Sequence, residues 1–204
     1  MVLIMMMTAM VTSSRYLYIN PIHLTLIFLH ETAMKNYPLP SIILHWLTVC
    51  AVVVAYITSG DPTDNHGIAD VILGQIHVAS GLLLIPLVFL RLFFRVYLGV
   101  PKSQPESHLW HLLVSTAQSL LYLLMLLVPL AGLISLMDKT QTYVLAGISL
   151  PSIKPTMWLS WLGDIHPFLG NAFVIMAGIH GLAALWHHYY LRDHTLKSML
   201  PWTR

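Results

Sequence analysis

The sequence predicts an all-α membrane protein, a bundle of four transmembrane helices. Of its 204 residues 57% are hydrophobic and only 9% are charged, whereas a soluble domain carries about 25% charged residues. The mean hydropathy is strongly positive, at +0.74. Four stretches are also long and apolar enough to cross a bilayer, which takes about 20 residues at roughly 1.5 Å of rise each.

The first stretch runs from about Ser41 to Ser59, SIILHWLTVCAVVVAYITS. The second runs from about Ile68 to Tyr97 and contains QIHVASGLLLIPLVFLRLFFR. The third, LWHLLVSTAQSLLYLLMLLVPLAGLISLM, covers about Leu109 to Met137. The fourth, LGDIHPFLGNAFVIMAGIHGLAALWHHYY, covers about Leu162 to Tyr190. Pro86, Pro129 and Pro167 fall in or near these segments, and a bundle tolerates them because neighbours satisfy the freed backbone groups. Residues 1–35 read as an N-terminal extension, apolar but broken by polar residues and Pro21, with Met34 an alternative start. Residues 36–204 read as one four-helix domain. Trp46, Trp158, Trp161, Trp186 and Trp202 lie near the segment ends, where interfacial belts form.

The connectors set an orientation. Lys35, Arg91, Arg95, Lys102, Arg192, Lys197 and Arg204 lie on one side, and Lys139 and Lys154 on the other. The positive-inside rule then places both termini and the loop between the second and third segments in the cytoplasm. A net charge of +2 gives no reason to expect nucleic acid. The single cysteine, Cys50, excludes an intramolecular disulfide, a C-x-x-C-H haem attachment and a cysteine-rich iron–sulfur site. Twelve histidines stand beside eight acidic residues, so any metal chemistry here is imidazole chemistry.

Four of those histidines sit inside the apolar segments. His166 and His180 share the fourth, 14 residues apart. That is about 21 Å of rise and a turn only about 40° short of four full ones. The two rings therefore look out from nearly one face at two depths. His77 is at the outer level with His166, and His45 is at the inner level with His180. Two levels with two imidazoles each is what two bis-histidine haems require. Six-coordinate ligation leaves no position open for oxygen, so such haems transfer electrons. A proton relay is the rival reading for intramembrane histidines. It would want carboxylates at bilayer depth, and the acids nearest the spans, Asp138 and Asp164, stand at helix ends.

Other residues qualify as supports. Gly81, four residues after His77, and Gly181, after His180, would let a flat macrocycle approach the backbone; close helix packing explains small residues equally well. Gly132 on the third helix is a further candidate. Arg91 and Arg95, one turn apart, suit haem propionates, since arginine matches carboxylate geometry. His187 and His188 are adjacent and so point about 100° apart. They cannot make one ligand pair and read as interfacial, with assistance to a quinone or a propionate as the alternative. His108 and His111 read as surface residues.

These residues fall into strings that resemble one family. YPLPSIILHW opens the first helix, QIHVASG opens the second and R-x3-R closes it. VPLAGL lies in the third, IHPFLGNAFV opens the fourth and IHGLAALWHHYYLRDHTLKSMLP ends the chain. Together they resemble bacterial cytochrome b561, from about residue 36 to the end. The resemblance implies four helices holding two haems b through His45, His77, His166 and His180. It also implies a link to ubiquinone or another membrane electron carrier. Relatives include quinone-linked carriers, superoxide oxidases that reduce ubiquinone, and cytochrome b subunits that anchor a separate dehydrogenase or hydrogenase. Where other members have His-Glu, this chain has His166-Pro167.

Overall fold

In a computed structural model of the chain the described residues are 37–60, 63, 67–101, 108–150 and 154–201. The expected extension over residues 1–35, with Met34, lies outside them, as do Lys102, Trp202 and Arg204. Four helices are long and apolar enough to cross a membrane. They are α1 (Leu39–Ile57), α2 (Ile68–Leu98), α3 (His108–Lys139) and, after a hairpin and a short helix, α5 (His166–Trp186) with its continuation to Leu191. The described chain enters and leaves at one end of the bundle, where Trp46 Nε1 donates to Met199 O at 2.9 Å. That end is called the terminal end below, and the other the hairpin end.

The fourth expected span does not run unbroken. Met157–Asp164 forms a separate short helix, α4, and α5 restarts at His166. Pro167 is the cause. It lacks an N–H and its ring clashes with a carbonyl four residues back, so it cannot sit inside a continuous helix. In the first turn of a new helix neither defect matters. Ile165, between the two helices, has φ −84° and ψ 0°. Pro86 and Pro129, by contrast, lie within α2 and α3, which run on through them. Trp158 and Trp161 belong to α4 rather than to a spanning helix and are 85% and 63% exposed.

Between α3 and α4 lies an element the sequence did not announce, a hairpin of β1 (Tyr143–Leu145) and β2 (Ile148–Leu150). Its turn residues Ala146 and Gly147 both have positive φ, 49° and 84°. Such a turn matches the twist of the strands it joins. The side chain of Gln75 on α2 holds the hairpin from below. Its Nε2 donates to Val144 O and its Oε1 accepts from Ala146 N, each at 3.4 Å.

Packing runs α1 on α2, α2 on α3 and α3 on both α4 and α5. Ala51, Leu84 and Leu87 fill the first seam. Val88, Leu92, Leu124, Met125 and Phe173 fill the junction of α2, α3 and α5. At the hairpin end the backbone of α4 meets α3 directly. A Cβ on Gly163 would come within 2.8 Å of Ser135 N, so only glycine permits the approach. Asp70 stands in the first turn of α2 and joins Asp138 and Asp164 as an acid at a helix end. α5 touches α1 only lightly, through contacts such as Tyr56 Oη to Asn171 Oδ1 at 3.3 Å. Between α5 and the α1–α2 pair stand the four histidines.

Candidate functional site

His77 projects from α2 and His166 is the first residue of α5. Their ring centroids are 6.0 Å apart and the ring planes are inclined at 75°. Each ring is anchored by its Nδ1. His77 Nδ1 lies 2.8 Å from Ala55 O on α1, and His166 Nδ1 lies 3.0 Å from Val128 O on α3. A carbonyl only accepts, so each Nδ1 carries the proton and each Nε2 keeps its lone pair. Metal-binding histidines are held in this way, with the second ring nitrogen donating to a backbone carbonyl.

Both anchors follow from the backbone. Helix termini leave their last carbonyls without intrahelical partners. Ala55 O is such a group, because Ser59 N turns back to Tyr56 O instead. Val128 O lies in mid-helix, and the ring reaches it across Gly132. A Cβ there would lie 2.8 Å from His166 Cε1 and 3.1 Å from its Nδ1. Gly132 therefore makes room for the His166 ring. Gly81 has nothing within 4 Å of the position a Cβ would take, and the same holds for Gly170, Gly178 and Gly181. Gly81 follows His77 by four residues and Gly170 follows His166 by four. The repeated H-x3-G spacing was a signal for Gly170 that the sequence reading did not use.

The second pair lies toward the terminal end. His45 on α1 and His180 on α5 are close enough to interact electrostatically, and Arg91 lies within reach of both. Arg91 Nη2 donates to His45 Nδ1 at 3.2 Å. The guanidinium also stands 5.3 Å from the centre of the Tyr122 ring. Arg95 Nη2 donates to Gln118 Oε1 at 3.1 Å. Arg91 thus turns into the bundle toward the second pair, and Arg95 reaches α3. Tyr37, just before α1, lies near them. Its burial holds the phenol above its usual range, although Arg95 and Arg91 oppose this.

The donor set can be tested against a haem. An imidazole nitrogen binds a metal at about 2.0–2.1 Å with the ring centre about 1 Å behind it, so two rings on one ion stand about 6 Å apart. His77 and His166 meet that spacing. No three His, Cys, Asp or Glu side chains gather as a metal cage among the described residues, so a metal ion held by this pair would need its other donors from elsewhere. A porphyrin would be such a set, and Gly81 and Gly170, each four residues after one of the two histidines, leave open backbone. The residues fit a bis-histidine haem.

The sequence family described as prokaryotic cytochrome b561 matches residues 36–202. Among curated proteins the chain is 27% identical to the probable superoxide oxidase CybB of Yersinia pestis, over 82% of this chain and 97% of the relative. It is 25% identical to cytochrome b561 homolog 1 of Escherichia coli, over 82% and 98% respectively. It is 30% identical to cytochrome b562 of Cereibacter sphaeroides, over 61% and 66%.

Proposed function

From the premise that the chain belongs to the prokaryotic cytochrome b561 family, and is a haem b protein of the bacterial membrane, we propose that it carries electrons between the two ends of its helix bundle through two haems. His77 and His166 hold one, and His45 and His180 the other. The observation that carries the reading is the first pair. Its rings stand 6.0 Å apart with both Nδ1 protons committed to carbonyls. A haem b held in this way supplies a one-electron iron couple with no coordination position left open. Arg91 and Arg95 offer guanidinium donors to propionates on the terminal side. The terminal end faces the cytoplasm, because its described edge carries Arg91, Arg95, Arg192 and Lys197. Residues 36–204 form the functional domain, and ubiquinone is the membrane partner in respiratory electron transfer.

The test is stoichiometry. A pyridine haemochrome assay on purified protein returns two haems b per chain, extractable with acid acetone. One haem per chain, or haem that resists extraction, defeats the two-pair assignment.

A second reading is favoured by the similarity to the probable superoxide oxidase of Yersinia pestis. In it superoxide is the donor at the hairpin end, where Lys139 closes α3 and Lys154 follows the hairpin, and ubiquinone is the acceptor at the other end.

A further inference from the structure

The two histidine pairs stand in unlike electrostatic surroundings, and α2 is where they diverge. On α5, His166 and His180 are 14 residues apart; on α2 the residue 14 beyond His77 is Arg91. That spacing is about 21 Å of rise and nearly four whole turns. α2 therefore brings an imidazole to the hairpin level and, from nearly the same face, a guanidinium to the terminal level. There His45 of α1 takes the ligand's place opposite His180.

Arg91 is set among apolar and aromatic groups. Its Nη2 donates to His45 Nδ1 at 3.2 Å, and its Nη1 lies 4.0 Å from Met125 Sδ. Met125 is buried, and the centre of the Tyr122 ring stands 5.3 Å from the guanidinium. The titratable groups that act on Arg91 are Tyr122, Arg95 and Tyr37, none of them a carboxylate. A guanidinium keeps its charge in a protein, so a full positive charge stands beside this pair. A ligating imidazole keeps its far ring proton. With Nε2 on iron, His45 Nδ1 is a donor, so the charge of Arg91 and not this hydrogen bond is what acts on the loaded pair.

The hairpin-level pair is placed the other way. Its Nδ1 protons go to Ala55 O and Val128 O. A bond of this kind makes an imidazole a stronger donor to a metal, which favours ferric iron. Lys139 also acts on His166, but it ends α3, eleven residues past Val128 and so about 16 Å further along, where water screens it.

Resting on the two-haem reading, we propose that Arg91 sets the potential of the haem held by His45 and His180 and makes it the higher of the two. Ferrous iron carries one positive charge fewer than ferric, and a fixed cation favours the state with fewer. Arg91 binds no iron; it acts through its field on the His45–His180 pair, as a positioning residue for the electron. One electron shared between the two irons leaves the hairpin-level iron ferric and the terminal iron ferrous. No bond and no proton moves in that step. A unit charge within about 10 Å, at an effective dielectric of about 20, shifts such an equilibrium about tenfold.

The test is spectropotentiometry of the haem-loaded full chain at a fixed pH. Each couple is assigned from His77→Ala, which keeps the terminal haem, and His45→Ala, which keeps the hairpin-level haem. The terminal couple is the higher one. Arg91→Gln lowers it by about 59 mV, the one-electron equivalent of a tenfold change, and leaves the other couple in place. Arg91→Lys restores the potential, a rescue that a packing role alone does not give. Arg95→Gln removes an equal charge, one turn nearer the terminal end and held on Gln118, and moves the couple less. If Arg91→Gln binds no terminal haem, the order of the wild-type couples and the potential of Arg91→Lys decide. A terminal couple below the hairpin-level one, a terminal couple unmoved or raised by Arg91→Gln, or an equal fall in Arg95→Gln overturns the role of Arg91 while both haems stand. One haem per chain removes the two-haem reading itself, and this inference with it.

Discussion

At His77 and His166 a single hydrogen bond decides what each ring can do. The carbonyls of Ala55 and Val128 take the Nδ1 protons and leave the Nε2 lone pairs of two neighbouring rings uncommitted to them. Replacing either ring should empty or open that haem site and spare the one formed by His45 and His180. About 21 Å of helix separates His166 from His180, too far to serve one iron. Redox titration of His77→Ala and His45→Ala should each show one remaining haem couple. Equal loss of both haems from every single variant would end the paired-depth assignment. Two glycines allow a finer test. Gly132→Ala sets a Cβ 2.8 Å from the His166 ring and should disturb that ligand directly. Gly81→Ala meets no protein atom within 4 Å. It should leave helix content unchanged and lower only haem loading. Normal haem content in Gly81→Ala would show that the open backbone there serves nothing.

At the scale of the element, the long helices were readable because hydrophobicity is a bulk property of about twenty residues. The ends of α1, α2 and α3 fall within two residues of those expected. Where local chemistry overrides composition, the reading slipped. Pro167 split the fourth span into α4 and α5, although IHPFLG stays apolar across the break. The hairpin is short, and its turn uses Ala146-Gly147 rather than an Asn-Gly signal. The partnership of His187 with Asp193 depends on a widened last turn, His187–Leu191, that periodicity does not encode. The four histidines were legible because polar rings in an apolar background stand out; Gln75 was not, since its role appears only between elements. Gly163 offers an element-level prediction. Gly163→Ala must push α4 off the Ser135 backbone, and overpacking costs about 1–3 kcal/mol. A thermal melt should show the loss, and an unchanged melt would mean that α4 shifts freely. Acid should loosen the last turn. Burial raises the pKa of Asp193, but its bonds from His187 and Thr195 outweigh this and hold it below the ordinary 3.8. That contribution is present above the ordinary value and is lost as pH falls through the lowered one. Hydrogen exchange at the Thr195 amide should accelerate there and not before.

At the scale of the whole molecule, the ends differ in charge. Among the described residues the terminal end sets Arg91, Arg95, Arg192 and Lys197 against Asp193, while the hairpin end sets Lys139 and Lys154 against Asp70, Asp138 and Asp164. If superoxide is the donor, Lys139 and Lys154 are the lysines described at this end that can draw it in. Its reduction of the haem should then slow as salt rises, since exposed charges are screened over about 10 Å at 0.1 M. Stopped-flow mixing of oxidised protein with superoxide measures this. A slow, salt-independent response would leave the quinone-linked carrier without the oxidase.

The break at Ile165 also acts as insulation. By starting α5 afresh, it sets His166 level with Val128, eleven residues short of the end of α3 and so about 16 Å beneath it. Above that ring lie α4 and the hairpin tied down by Gln75. Tunnelling of an electron weakens steeply with distance, so a globular donor resting on the end of α3 would pass electrons to this ring slowly. If electrons enter at this end, that depth would select donors by size, favouring one small enough to slip in beside the hairpin.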